Sequence, residues 1–154
     1  MRVTAKVDYA VRAATMLATQ ADGEGGPVKG ERIATSQAIP VKYLENILAE
    51  LRQAGIVRSQ RGADGGYWLA RPAEEISVAD VIRAVEGPLA HVRGERAENL
   101  DYPDGTGALQ ELWVAVRASL RNVLEHTSLA AVAADDLPPA IQALTADPDA
   151  WQPH

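Results

Sequence analysis

The sequence contains no cysteine. Disulfide bridges, zinc sites with thiolate ligands and iron–sulfur clusters held by thiolates are therefore excluded. Phenylalanine is also absent, and aromatic residues make up only 5% of the chain. A core built from these 154 residues must therefore consist of leucine, valine, isoleucine and alanine, a composition that favours helices over a β-sandwich.

Long apolar runs are missing as well. No apolar stretch approaches the roughly 20 residues that a membrane-spanning helix needs. The first residues, MRVTAKVDYAVRAATML, are interrupted by Lys6, Asp8 and Arg12, which is not the pattern of a signal peptide. We therefore expect a cytoplasmic protein that makes no membrane contact.

Charge is unevenly distributed along the chain. The net charge of −6 argues against a protein that coats nucleic acid without selectivity. Residues 1–72, however, hold ten Lys/Arg and seven Asp/Glu, a net charge of +3, whereas residues 73–154 hold five and fourteen, a net charge of −9. The first half could therefore meet a polyanion while the second keeps the molecule soluble.

The first 55 residues predict three helices. The first runs from a Thr4 cap to about Ala21, because apolar residues recur at helical spacing. After a loop over residues 21–27, a short helix over residues 31–37 is followed by a tight break at Pro40, which can open the next helix at its first position. That helix ends at Gly55, and its inward face consists of Leu44, Ile47, Leu48 and Leu51.

A β-hairpin follows in VRSQRGADGGYWLARP, residues 57–72. Two short alternating runs surround GADGG, whose glycines can supply the positive φ angles of a hairpin loop. The same loop could suggest a phosphate cradle, but it lacks the lysine and Ser/Thr of a P-loop and opens no helix. The hairpin carries Arg58, Arg61 and Arg71 against a single acid, Asp64, in its tip.

The C-terminal half predicts two further helices and a short third one. Ser77 and Asp80 match a capping box, and the helix that they begin ends at Gly87. A polar, irregular segment over residues 89–105 precedes a long helix over about 106–126. A short helix at 128–134 follows, and the Pro- and Asp-rich residues 135–154 predict a flexible tail.

The long helix carries an apolar stripe that one domain of this size cannot cover alone. We therefore predict a homodimer interface, formed by Leu109, Leu112, Trp113, Val116, Leu120 and Val123.

Two helices joined by a tight turn and followed by a basic hairpin predict a winged helix-turn-helix, in a mainly α fold with a small β-hairpin wing. On the outer face of the third helix, Lys42 can reach phosphate or guanine, Asn46 can pair with adenine, and Glu45 can accept from cytosine. An arginine at the wing tip can enter a narrow minor groove. The predicted DNA-binding residues are Lys42, Tyr43, Glu45, Asn46, Arg58, Ser59, Gln60 and Arg61.

Other functions were weighed against DNA binding. The polar face of the third helix could be an ordinary solvated surface, in which case the chain is a winged-helix module for protein partners. His91 and the acids of residues 89–105 could bind a metal, but such a run is more often a solvated loop, so we predict no metal and no cofactor. The sequence shows no nucleophile–base pair and no ligand cluster, and we predict no enzymatic activity.

Three parts of the sequence resemble the Rrf-type bacterial regulators: KVDYAVRA, IPVKYLENILAELRQAGIVRSQRGADGGYWLARPAEEISVADVIRAVEGP, and the long helix. The resemblance is close over about residues 1–88 and looser over 106–134. It implies a winged-helix homodimer crossed through the long helix and bound to a partly palindromic operator in double-stranded DNA. It also implies base and phosphate contacts from Lys42, Tyr43, Glu45 and Asn46, and a minor-groove contact from Arg61.

Residues 89–105 depart from this family in one respect. Members that bind an iron–sulfur cluster carry three cysteines there, and this chain carries none. We therefore predict a dimeric regulator, a repressor, without a cluster. Its domains are the winged helix over residues 1–88, the loop over 89–105, the dimerisation region over 106–134 and the tail over 135–154. An effector, whether a small molecule or a protein, stays open.

Overall fold

The structure is a computed structural model that describes residues 2–21 and 26–153. Most of the predicted loop over residues 21–27 lies outside the described residues. The helices are α1 (Ala5–Ala21), α2 (Gly30–Gln37), α3 (Val41–Gln53), α4 (Val78–Glu86), α5 (Ala108–Leu124), α6 (Leu129–Ala133) and α7 (Pro139–Thr145). The strands β1 (Val57–Gln60) and β2 (Gly66–Leu69) form an antiparallel hairpin. The predicted mainly α fold with a hairpin wing is confirmed.

The core forms around α1, which packs against α2, α3, α4, α6 and β2. Its buried face is rich in alanine, with Ala10, Ala13 and Ala14 fully buried, so the neighbouring helices can approach closely. The inward face of α3 was predicted correctly, because Leu44, Ile47, Leu48 and Leu51 are all at most 1% exposed. Burying each of these leucine or isoleucine side chains stabilises the fold by about 1.5–3 kcal/mol.

Short-range hydrogen bonds set the helix ends. Helix α2 stops at Ala38, which adopts the left-handed conformation, and the Ile39 amide donates to Ala34 at 2.9 Å. Pro40 precedes the first residue of α3 as its N-cap, one position earlier than predicted. At α4 the predicted capping box is confirmed: the Ser77 hydroxyl accepts from the Asp80 amide, and the Asp80 carboxylate accepts from the Ser77 amide.

The C-terminal elements return to the winged helix. The Leu129 amide donates to the Ile76 carbonyl at 2.8 Å, and the Leu129 side chain is fully buried in the core. Helix α6, which the sequence analysis grouped with the dimerisation region, thus packs on α1. In the tail, α7 was not predicted; a proline-rich composition suggests irregular chain, but Pro139 occupies the first turn, where its fixed φ favours a helix.

Among the helices of the described residues, none has both the length and the apolar character that crossing a bilayer requires.

Candidate nucleic-acid interface

Helix α3 presents a polar face to solvent on the side opposite its buried leucines. Lys42, Glu45 and Asn46 are exposed, and within the described residues their side chains make no hydrogen bond or ion pair. Tyr43 is 42% exposed and packs edge-on against Tyr9 of α1, with ring centroids 5.7 Å apart. The outer face therefore offers three polar side chains that are free to meet a partner, beside one tyrosine that is partly used in packing.

The wing, defined as residues 57–69, pairs Val57 with Leu69 and Gln60 with Gly66. Arg58, Gln60 and Arg61 are exposed, and no ion pair or hydrogen bond of their side chains occurs within the described part of the chain. Ser59 is half-buried on the other face of β1, where its hydroxyl accepts from Arg52 of α3 at 3.2 Å. This bond joins the end of α3 to the wing.

The segment Val28–Lys29 holds the wing against α2, a contact that was not predicted from the sequence. Val28 and Tyr67 exchange two backbone hydrogen bonds of 2.8 Å, so Val28 acts as a one-residue third strand. The Lys29 ammonium donates to the Gly62 carbonyl in the loop at 2.9 Å. These contacts fix the loop that carries Arg61, and they place it next to the start of α2.

Two glycines permit this close approach. A Cβ added at Gly66 would lie 2.5 Å from the Val28 carbonyl oxygen, and one added at Gly65 would lie 2.1 Å from the Gln60 carbonyl oxygen. Both distances are shorter than real Cβ contacts allow. The glycines of GADGG thus serve backbone proximity as well as the turn.

Three arginines line a depression beside the wing. Arg58 stands opposite Trp68 in the strand register, so the two side chains share a face. With Arg52 and Arg71 they line a depression of about 540 Å³. Trp68 is half-buried in this depression. Sequence patterning could not show that Arg52 joins the wing, because that depends on how α3 packs on β1.

The predicted dimer residues form a partly exposed stripe on α5. No residue of this 17-residue helix is buried. Leu112 is 50% exposed, and the other five predicted side chains are half-buried. Helix α5 contacts the rest of the described chain mainly through α4 and the 3-10 turn Ala97–Asn99. Within the described residues, the stripe is therefore not fully buried.

Residues 89–105 pack partly into the protein. Leu89, Ala97 and Leu100 are buried, and the side-chain amide of Gln110 in α5 donates to the Leu100 carbonyl at 2.8 Å. The pKa of Glu98 lies below its ordinary value, because its carboxylate accepts a backbone hydrogen bond and one from Arg117. This segment is therefore an ordered connection between α4 and α5, with only three residues in a 3-10 turn.

Similarity to known proteins shows which family the chain belongs to. The model of the Rrf2 family, described as an iron-dependent transcriptional regulator, matches residues 3–135. The chain belongs to the Rrf2 family. It is a winged-helix, DNA-binding transcriptional regulator, and the resemblance inferred from its sequence is confirmed.

Several relatives cover nearly the whole chain. Rv1287 of Mycobacterium tuberculosis strain H37Rv, which carries the name of an HTH-type transcriptional regulator, is 50% identical over 147 residues, covering 96% of this chain and 90% of its own. CymR of Bacillus subtilis is 36% identical over 129 residues, covering 84% of this chain and 87% of CymR. The solved structure of that CymR, a global cysteine regulator, matches with a TM-score of 0.74 at 32% identity, over 88% of this chain and 98% of CymR. The structure of T. potens IscR matches with a TM-score of 0.69 at 34% identity, over 99% of this chain and 97% of IscR.

The donor atoms of this chain do not fit the iron–sulfur cluster that other members hold. The chain offers no thiolate. Within the described residues, no three His, Asp or Glu side chains come together in a group that could hold a metal ion. In residues 89–105, Glu98 is already engaged by Arg96 and Arg117.

Proposed function

We propose that two copies of this chain bind a partly palindromic operator in double-stranded DNA and repress transcription there. The observation that carries the proposal is the pairing of α3 with the wing: free polar side chains on α3 lie beside an arginine-bearing loop fixed by Val28 and Lys29. The acids of residues 73–154 do not oppose this, because salt screens charges beyond about 8 Å at physiological ionic strength.

Each proposed contact follows from the chemistry of its side chain. Lys42 and Asn46, near the start of α3, suit a phosphate or guanine and an adenine, while Glu45 suits the amino group of cytosine. Tyr43 and Gln60 flank them and can hydrogen-bond to the sugar–phosphate backbone of the DNA. Arg61 suits a narrow minor groove beside the half-site. Arg58 and Ser59 complete the proposed surface, with Ser59 acting through its bond to Arg52.

The proposed dimer rests on α5. The described residues leave its stripe partly exposed, and covering each leucine or valine fully contributes up to about 1.5–3 kcal/mol. A second copy supplies a matching stripe, and the twofold symmetry that results predicts a palindromic site. The two α3 helices then meet half-sites whose centres lie about 34 Å, or a multiple of it, apart.

The oligomeric state has a direct test. Light scattering at micromolar concentration should show a dimer, and Leu112→Asp should shift the protein toward monomer and weaken operator binding together. Ala118→Asp is the matched control, because Ala118 is exposed on the side of α5 away from the stripe and gains the same charge. A stable wild-type monomer would contradict the dimer.

The function itself is tested by selecting fragments of the source genome with the purified protein and measuring their affinity by fluorescence anisotropy. We expect fragments that share an inverted repeat, with affinity well above that for unrelated DNA of equal length. Repression is read by placing the selected site before a reporter gene, with and without the protein. Affinity that does not depend on sequence would instead favour the winged-helix module for protein partners. A catalytic activity has no support in the residues of the site.

A further inference from the structure

A basic pocket lies between α4, residues 89–105 and α5, and none of the proposed DNA-contacting residues lines it. Its volume is about 410 Å³, within the range of small-molecule sites. Its polar lining consists of four arginines and a histidine: Arg83, His91, Arg96, Arg117 and Arg121. The remaining lining is apolar. These residues come from three separate parts of the chain, so the sequence alone does not reveal the cluster.

Each of two glutamates is shared by a pair of these arginines. Glu98 accepts from Arg117 and lies 2.7 Å from Arg96, and Glu125 accepts from Arg83 and lies 3.0 Å from Arg121. The pKa of Glu125 is lowered by hydrogen bonds from Arg121 and then Arg83, as that of Glu98 is by its backbone bond and Arg117. Both glutamates are therefore ionised at neutral pH. Each group of two arginines and one glutamate keeps a net positive charge.

Further acids stand near Arg83: Glu74 and Glu75 line an adjoining depression together with Arg83 and Glu125. Asp80 lies 3.8 Å from Arg83, but it also caps α4 and lies 4.0 Å from Arg71. None of these three acids lines the pocket itself, whose described lining holds only basic and apolar side chains. A guanidinium carries more N–H donors than one shared carboxylate can accept, so the arginines keep donors for a further anion.

We infer that this pocket binds a small oxyanion with at least two negative charges, of the phosphate-ester or polycarboxylate class. Planar guanidinium groups recognise such oxygens in a bidentate manner, and several of them facing one cavity favour a multiply charged ligand over chloride. Arg117, whose side chain is only 20% exposed, sits where the attraction is least weakened by solvent.

The pocket also connects the two functional parts of the chain. Arg83 belongs to α4 of the winged helix, whereas Arg117 and Arg121 belong to α5, and the ion pair of Arg83 with Glu125 joins the helices. A ligand that draws these arginines together would favour one angle between α5 and the winged helix. If the proposed function holds, this site is an effector site, since that angle sets the spacing of the two α3 helices.

Binding is tested without DNA, by isothermal titration calorimetry of the full chain with inorganic pyrophosphate and with citrate at constant ionic strength. We expect saturable binding of at least one of them, with one site per chain. Arg117→Gln and Arg96→Gln should each weaken it on the order of tenfold, since each removes a charge-assisted hydrogen bond. The Arg96 side chain is 66% exposed, so its variant should fold even if Arg117→Gln does not.

Arg93→Gln is the matched control. Arg93 lies in the same segment and stacks over Tyr102, but it does not line the pocket. It should bind like the wild type. Absence of saturable binding of both anions, or equal weakening in Arg93→Gln and Arg96→Gln, would overturn the site. Preference for pyrophosphate or for citrate assigns the ligand to the phosphate or the carboxylate class.

The link to DNA has a separate readout. Saturating anion should change operator affinity of the wild type and leave that of Arg117→Gln or Arg96→Gln unchanged. Unchanged operator affinity with a saturated pocket would overturn the effector role. A failure of the proposed function would look different, because no operator would be bound with or without the anion.

Discussion

Arg61→Ala is the variant that best tests the wing, because the Arg61 side chain has no visible role in holding the described structure together. Its side chain is exposed and makes no intrachain hydrogen bond or ion pair among the described residues. The free energy of unfolding should therefore stay within about 0.5 kcal/mol of the wild type. Operator binding should weaken by about 1–3 kcal/mol for each half-site, a factor of roughly 5 to 150.

Two dependences separate a minor-groove contact from a general loss of charge. The loss should grow with the A·T content beside the half-sites, because a narrow groove strengthens the attraction. A plot of log affinity against log salt should also become shallower by about 0.9 for each phosphate that the arginine had neutralised. Fluorescence anisotropy of labelled operator over a salt series measures both.

The control removes an equal charge elsewhere. Arg93 lies in residues 89–105, outside the proposed DNA-binding surface, so Arg93→Ala should bind the operator like the wild type. Should the folded Arg61→Ala protein match the wild type at every salt concentration, the wing would be a structural hairpin. The chain would then be better explained as a winged-helix module for protein partners.

Three other properties follow from the structure. Gly66→Ala forces a Cβ against the Val28 carbonyl and should cost about 1–3 kcal/mol of unfolding free energy in denaturant titrations. Gly26→Ala, where nothing lies within 4 Å of the added Cβ, should change little, and equal stability of the two variants would refute the close approach. Because Arg121 and Arg83 lower the folded-state pKa of Glu125, its contribution to stability is present above the ordinary value of 4.5 and is lost as pH falls through the lowered pKa. Glu125→Gln should therefore flatten the acid part of the stability curve, and an unchanged curve would argue against this pairing. Anaerobic incubation with iron and sulfide should leave the protein colourless, since it has no thiolate, whereas a stoichiometric cluster absorption would contradict that.

Much of the fold could be predicted because its signals are local. Apolar spacing located α1, α3 and α5, the capping box located α4, and the glycine-rich loop located the wing. Long-range packing was not accessible in this way. The return of α6 to α1 depends on backbone bonds from Val78 and Leu129 to residues about 50 positions away along the chain, for which the sequence holds no periodic signal.

The candidate site shows the same division. The outer face of α3 follows from the residues that are buried on its inner face, so Lys42, Glu45 and Asn46 could be named in advance. Lys29 and Arg52 could not, because they join the wing only through tertiary contacts. The arginine pocket was missed for a related reason: its members lie far apart in the sequence, and each alone looks like a solvated surface charge.

The central claim is that α3 of each of two chains enters the major groove of one operator. Because the chain has no cysteine, Ala49→Cys places a single thiol on the exposed face of α3, where an iron–EDTA reagent can be attached. On the selected operator, we predict two clusters of strand cleavage in the major groove, symmetric about the centre and separated by about 10–10.5 base pairs or a multiple of that number. A single cluster, or cleavage spread evenly along the DNA, would contradict the claim.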